Sequence, residues 1–304
     1  MIKDLKNILV PIDFKEPSLK AFRYACNLAS KLGGKVILLH VLQTPGILAD
    51  FFAKGNALVQ MTDDIKNKLD AIAGNYADCE NAPEISTRVE RGKPYEKILK
   101  VAEAMKVRMI ILGENHEEDG ANQNLGSTVF HVTLKSPVPV LTLKGKTDRM
   151  NEKIVVPLDL TGQMRKQLFS AMVYGLNYGA EIHLVSALIG GIKMRESRIY
   201  RKLKQAKETL RENGVSCAIK LFPRTEVPPF KKVIRYAKEI DAGMILVMTH
   251  REGYTYDNYI GAFAHHIINE SQVPVLSLTA AATDVDFARF LKGFVDPAGM
   301  LMKT

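Results

Sequence analysis

Two short stretches of this 304-residue chain carry the residue types best suited to chemistry. The first is Asp13, which closes the apolar run Asn-Ile-Leu-Val-Pro-Ile at 7–12. The second begins at Gly113-Glu114-Asn115-His116, continues through nine residues, and resumes at Gly126-Ser127-Thr128. A glycine at a strand end lets a ligand approach the backbone closely. Gly126-Ser127-Thr128 opening a helix would offer free backbone N–H groups and two hydroxyls, a ready anion site. The same three residues also make an ordinary N-cap, and both readings stand at this point.

Two large enzyme classes are excluded by what is missing. The turn Asp13-Phe14-Lys15-Glu16-Pro17-Ser18 contains no glycine, so the dinucleotide fingerprint Gly-x-Gly-x-x-Gly is absent where it would have to lie. A Gly-x-x-x-x-Gly-Lys-Ser/Thr phosphate loop occurs nowhere in the chain. No Ser/His/Asp or Cys/His set is assignable from spacing, and Glu117-Glu118-Asp119 reads as solvated loop. His265 and His266 are adjacent and diverge by about 100° on a helix, so they do not share a metal readily. No metal site is expected. Cys26, Cys79 and Cys217 are isolated, which suits a reducing compartment rather than a disulfide or zinc framework.

These residues sit in a chain that repeats itself. Residues 7–13 return at 153–159 as Lys-Ile-Val-Val-Pro-Leu-Asp, and 109–143 align on 244–278 without a gap, with 11 of 35 positions identical. His131 matches His266 in that register, which suggests a shared structural role. Short apolar runs alternate with longer amphipathic stretches, the pattern of an α/β domain with a parallel sheet. Strands are predicted at 7–12, 35–41, 85–90, 109–113 and 138–143, with helices at about 17–31, 57–74, 94–106 and 127–135. The second copy predicts strands at 153–158, 181–186, 216–222, 244–248 and 274–278, with helices at about 163–178, 196–213, 228–240 and 262–270. Ligands in such folds bind at the carboxyl ends of the strands where the strand order reverses.

The combination Ile-Leu-Val-Pro-Ile-Asp, Leu-Leu-His-Val, Gly-x-x-…-Gly-Ser-Thr and Pro-Val-Pro-Val-Leu resembles the universal stress protein family, here as two tandem domains. The resemblance implies two doubly wound five-stranded parallel-sheet domains of the adenine nucleotide α-hydrolase-like kind, at 1–145 and 150–280. It also implies pairing through their last strands, within the chain or in a homodimer. Residues 281–304 remain as a tail. The family's nucleotide-binding motif, Gly-x-x-Gly-(nine residues)-Gly-Ser/Thr, implies a site for ATP or AMP, with Mg as a candidate companion. Its residues would be Pro11, Asp13, Val41, Gly113, His116, Gly126, Ser127 and Thr128. Asp13 would lie near the ribose or phosphates, Val41 would offer backbone contacts to adenine, and the glycines and hydroxyls would cradle phosphates. His116 departs from the family by replacing the second glycine. In the second copy Met248, Thr249, His250 and Arg251 replace the glycine pair, and Ala262-Phe263 follow Gly261. Only Asp159 and Gly261 survive there as vestiges.

The function expected is therefore non-enzymatic: a stress-response protein that binds an adenine nucleotide in its first domain and acts through an unidentified protein partner. A ligand-free scaffold is the alternative. A weak ATP hydrolase is a third reading, in which Asp13 or His116 would have to serve as the base. No apolar run is long enough to cross a bilayer, and the expected place is the cytoplasm. The net charge of +9 is uneven: residues 1–150 carry 21 basic and 18 acidic side chains, residues 151–304 carry 21 and 15. Much of the excess lies at 193–211. That stretch reads as a solvated helix or a docking surface for an acidic partner. Nucleic acid is not expected, because no basic strand is interleaved with aromatics. The loop at 44–57 with Phe51-Phe52, and the second copy's Tyr254, Tyr256 and Tyr259, suggest further contact surfaces.

Overall fold

The computed structural model describes residues 7–43, 55–77, 81–114, 126–144, 152–158, 164–187, 197–249 and 261–279. His116, Asp159, Phe51-Phe52, the three loop tyrosines, His250-Arg251 and the tail lie outside these residues.

In the first unit the order is β1 (Asn7–Pro11), α1 (Glu16–Leu32), β2 (Lys35–Leu42), α2 (Gly55–Ala77), β3 (Glu84–Arg91), α3 (Pro94–Ala104), β4 (Met109–Gly113), α4 (Ser127–Lys135) and β5 (Val140–Leu143). The second repeats it as β6 (Lys153–Pro157), α5 (Met164–Tyr178), β7 (Glu181–Ala187), α6 (Arg198–Glu212), β8 (Cys217–Phe222), α7 (Pro229–Glu239), β9 (Met244–Thr249), α8 (Ala262–Glu270) and β10 (Val275–Thr279). Each set of elements forms its own compact unit.

Within the first unit the strands run side by side as β3-β2-β1-β4-β5, and within the second as β8-β7-β6-β9-β10. All these neighbours are parallel. The chain moves outward from the central strand on one side, then crosses to the other. β1 and β4 therefore flank the reversal in one unit, and β6 and β9 in the other. This is the position at which doubly wound sheets bind ligands.

Periodicity explains the elements. In α1, Phe22, Ala25, Cys26 and Ala29 are buried and Leu19 is half-buried, the stripe that their spacing predicts. Pro17 stands in the first turn, where its missing N–H costs nothing. Gly33 ends the helix in the left-handed region at φ 63°, and the Gly34 N–H reaches back to the Ala29 carbonyl at 2.8 Å. The central strands are apolar on both faces, as a parallel sheet covered by helices requires: Ile8, Leu9, Leu38, Leu39, Ile110 and Ile111 are almost fully buried. Each such side chain contributes about 1.5–3 kcal/mol through burial.

The repeated histidines have the structural role that the repeat suggests. His131 on α4 lies 4.5 Å from the Tyr95 ring of α3, and His266 on α8 stacks at 4.3 Å on Phe230 of α7. Both units thus seat their last helix against the preceding one through a histidine–aromatic contact. Ser136 and Ser271 close the following turn in both copies, each hydroxyl bonding the carbonyl two residues on.

Candidate functional site

The turn leaving β1 is held tightly. Asp13 accepts a hydrogen bond from the Lys15 N–H at 3.0 Å, and the Ser18 hydroxyl donates to the Lys15 carbonyl at 2.9 Å while accepting from the Asp13 N–H at 3.3 Å. This asparagine-type turn replaces the glycines that the sequence lacks. Its backbone still requires a left-handed residue, and that residue is Phe14 at φ 66°. A bulky side chain in this region is an outlier held in place by its surroundings. The Phe14 ring packs 4.9 Å from His40, whose Nδ1 donates to the Ile12 carbonyl at 2.8 Å. Asp13 remains exposed, and Val41 next to His40 is half-buried. Pro11 pairs in register with Leu39, so the ends of β1 and β2 lie side by side. Neither Phe14 nor His40 was singled out by sequence reasoning. The signal available was the glycine-free turn itself, which had to find its positive φ elsewhere.

Gly113 ends β4 beside β1, and its role differs from the one its position suggests. A Cβ there would collide with the Pro17 carbonyl and lie 2.8 Å from the Ser18 nitrogen. The space is filled by the start of α1, so the glycine serves helix packing rather than the approach of a ligand. Gly126 is the opposite case: nothing lies within 4 Å of the position a Cβ would take. It is the N-cap of α4, with φ −55° and ψ 138°, and no side chain caps the helix. The reading of Gly-Ser-Thr as an ordinary N-cap therefore holds, through Gly126 itself. Ser127 is exposed, Thr128 is half-buried, and neither hydroxyl makes a hydrogen bond among the described residues. Among the described residues one side chain reaches this cap: Glu114 Oε1 accepts from the Gly126 N–H at 3.4 Å. That carboxylate sits where the positive end of the helix would attract an anion.

The second unit fills the corresponding crevice. Met248 stands at the position of Gly113 and is buried. Gln167 on α5, aligned with Ala21 in the repeat, sends its amide between the strand ends. It donates to the Pro157 carbonyl of β6 at 2.9 Å and to the Leu246 carbonyl of β9 at 3.2 Å. A buried polar group bridging both strands at the reversal satisfies carbonyls that would otherwise face an open site. Gly261 caps α8, but Ala262 and Phe263 bring no hydroxyls.

A five-stranded parallel arrangement of this order in each unit defines a doubly wound α/β protein. The universal stress protein family model matches residues 4–144. The chain is 30% identical over 155 residues to the universal stress protein MJ0577 of Methanocaldococcus jannaschii, covering 96% of that protein and 46% of this chain. The chain belongs to the universal stress protein family. Among solved structures, a universal stress protein from Archaeoglobus fulgidus shares the fold at TM-score 0.75, with 19% identity, over 90% of this chain and 98% of the other. A protein from Pseudomonas aeruginosa UCBPP-PA14 described as a universal stress protein matches at TM-score 0.60 and 18% identity, over 96% and 98%.

Proposed function

We propose that the first unit binds an adenine nucleotide, ATP or AMP, at the carboxyl ends of β1, β2 and β4. The observation that carries this reading is the start of α4 at the strand reversal: an open Gly126, and hydroxyls on Ser127 and Thr128 that make no hydrogen bond among the described residues. The phosphates would lie on these groups and the ribose near Asp13. The half-buried Val41 would border the base, together with the Phe14–His40 pair. Mg would be carried in by the phosphates. Among the described residues no three metal-capable side chains converge to hold one. His116 stands next to this site in sequence. The second unit, filled by Gln167 and Met248, would bind no nucleotide.

Occupancy would change the surface at the strand ends, and the protein would act non-enzymatically through a protein partner in the cytoplasm. Among the described residues no helix is long and apolar enough to cross a membrane. The ligand-free scaffold reading is favoured by one contact, the Glu114 carboxylate on the Gly126 amide, which supplies an internal anion at the helix start. Calorimetric titration of ATP and AMP into the whole protein, with and without Ser127→Ala, separates the two. Heat and a thermal shift that weaken in the variant support nucleotide binding. Neither effect at millimolar nucleotide leaves the scaffold.

A further inference from the structure

The two units differ sharply in how they neutralise their cations. Among the described residues, every lysine or arginine ion pair with a carboxylate lies in the first unit: Arg23–Glu16, Lys35–Glu84, Lys66–Asp70, Arg88–Glu90, Lys93–Glu96 and Lys97–Glu90. In the second unit the recorded pairs involve histidine, His183–Glu181 and His266–Glu270. Helix α6 carries Arg198, Arg201, Lys202, Lys204, Lys207 and Arg211, and none of them meets a carboxylate among the described residues.

A solvated helix surface accounts for some of these charges. Arg211 stands in the last turn, where a cation favours the helix dipole. The same rule works against the other end. The first turn of α6 has no acidic residue, and Arg198, Arg201 and Lys202 crowd the end that is already positive. Helices α1 and α3 of the first unit follow the favourable pattern, with Glu16 and Glu96 in their first turns. Leu203, Ala206 and Leu210 seat α6 on the sheet, which leaves Arg201, Lys204, Lys207 and Arg211 along one exposed-to-flanking stripe. Over ten residues this stripe is about 15 Å long.

The stripe leads to a cleft. Lys207 and Arg211 line it with Gly214, Val215, Ser216 and Cys217, and its volume is about 340 Å³. Beside it stands Leu176 of α5, the exposed large hydrophobic residue of the second unit among the described residues, at 45% exposure. Its position follows from close packing: a Cβ on Gly175 would strike Val215, so α5 can press against the α6–β8 turn only because residue 175 is glycine. Leu176 thereby reaches Gly214, where an added Cβ would meet its Cδ2 at 4.0 Å.

We propose that the α6 stripe, the cleft and Leu176 form a docking surface for an acidic protein segment that carries an apolar side chain. The unpaired cations call for carboxylates, and an extended segment sets alternate side chains roughly 7 Å apart, so two or three of them match the stripe. Leu176 takes the apolar side chain, and the polar cleft beside it, with Lys207 and Arg211, takes a carboxylate. A nucleic acid fits less well, because the exposed large hydrophobics among the described residues are Val59, Met61, Met105 and Leu176, none of them a ring on which bases could stack.

The test uses fluorescence anisotropy with the full-length protein. The probes are a labelled twelve-residue peptide with glutamate at alternate positions and one terminal leucine, its leucine-to-serine counterpart, and a labelled twelve-nucleotide oligouridylate. The expected result is micromolar binding of the leucine peptide at low salt. It weakens at least tenfold in Lys204→Glu/Lys207→Glu and about threefold in Leu176→Ser, with no Leu176 effect on the serine peptide. Lys204→Gln/Lys207→Gln replaces the charge reversal if the latter lowers the melting temperature. Absence of binding, binding indifferent to the charge variants, equal loss for both peptides in Leu176→Ser, or tighter binding of the oligouridylate would each overturn the proposal.

Discussion

Gly113 and Pro17 are in backbone contact across the end of β4 and the start of α1, with no room between them for a side chain. Gly126, thirteen residues further on, faces open space. Two glycines of one sequence motif therefore do different work, and substitution separates them. Gly113→Ala should destabilise the protein by about 2–3 kcal/mol, since the atoms it strikes are backbone and cannot rotate away. Gly126→Ala should cost less, about 0.5–1 kcal/mol, because it loses a favourable N-cap residue without a clash, and its further effect should appear in nucleotide titrations. Urea unfolding of both variants gives the comparison.

Glu114 places a carboxylate on the N–H of Gly126, the N-cap of α4. Nucleotide phosphates arriving there would meet a like charge at the end of the helix that best attracts them. Glu114→Gln should tighten ATP binding by about fivefold, or about 1 kcal/mol, the size of a helix-dipole interaction. Calorimetry at low ionic strength reads it. An unchanged affinity would mean that the carboxylate moves aside at no cost.

His265 prefers its neutral form in the folded protein. Burial lowers its pKa from 6.5, the neighbouring His266 and Lys144 lower it further, and Glu270 opposes them. The folded value lies below the unfolded one, so the unfolded chain takes up the proton first. The stability tied to His265 is complete above the unfolded pKa and is lost as pH falls through 6.5 toward the folded value. A stability profile between pH 7.5 and 5 should lose part of its slope in His265→Gln.

Cys217 lines the cleft beside Lys207 and Arg211, yet its thiol is pushed up to about 11, chiefly by burial, while the two cations pull the other way. Only the thiolate is nucleophilic, so alkylation at pH 8 should run about 100-fold slower than for an ordinary thiol. Lys207→Gln should slow it further. Peptide mapping after timed iodoacetamide treatment measures both.

β5 is the last strand in the order of the first unit, and Val-Pro-Val-Leu leads into it. In a fragment that ends after β5 this strand would have a free edge, a template for another strand. A fragment comprising residues 1–145 should therefore self-associate, as read by sedimentation equilibrium. A fragment monomeric at 100-fold the concentration typical of about 1 μM association would count against strand pairing.

The elements were legible because their signals are local. Pro17 at one end of α1 and Gly33 at the other bracket a stripe spaced for a helix, and the apolar runs of β1, β2 and β4 announce strands covered on both faces. The replacement of the glycine and the hydroxyls by Met248 and Ala262-Phe263 was legible too. Gln167 was not. It lies near the start of an amphipathic helix, where a glutamine reads as solvent-facing, and only the packing of α5 over β6 and β9 turns its amide inward.

The sequence by itself determined the duplication, the α/β class, the order of elements and the side of the sheet where a ligand would bind. All of these follow from periodicity and from the parallel crossover that joins neighbouring strands. Tertiary structure alone decided that Gly113 packs a helix while Gly126 stays open, that Phe14 carries the turn's positive φ, that Glu114 answers the helix start, and that the cations of α6 meet no carboxylate among the described residues. Each of these is a relation between side chains and backbone brought together by packing, and spacing along the chain carries no record of which groups meet or fail to meet.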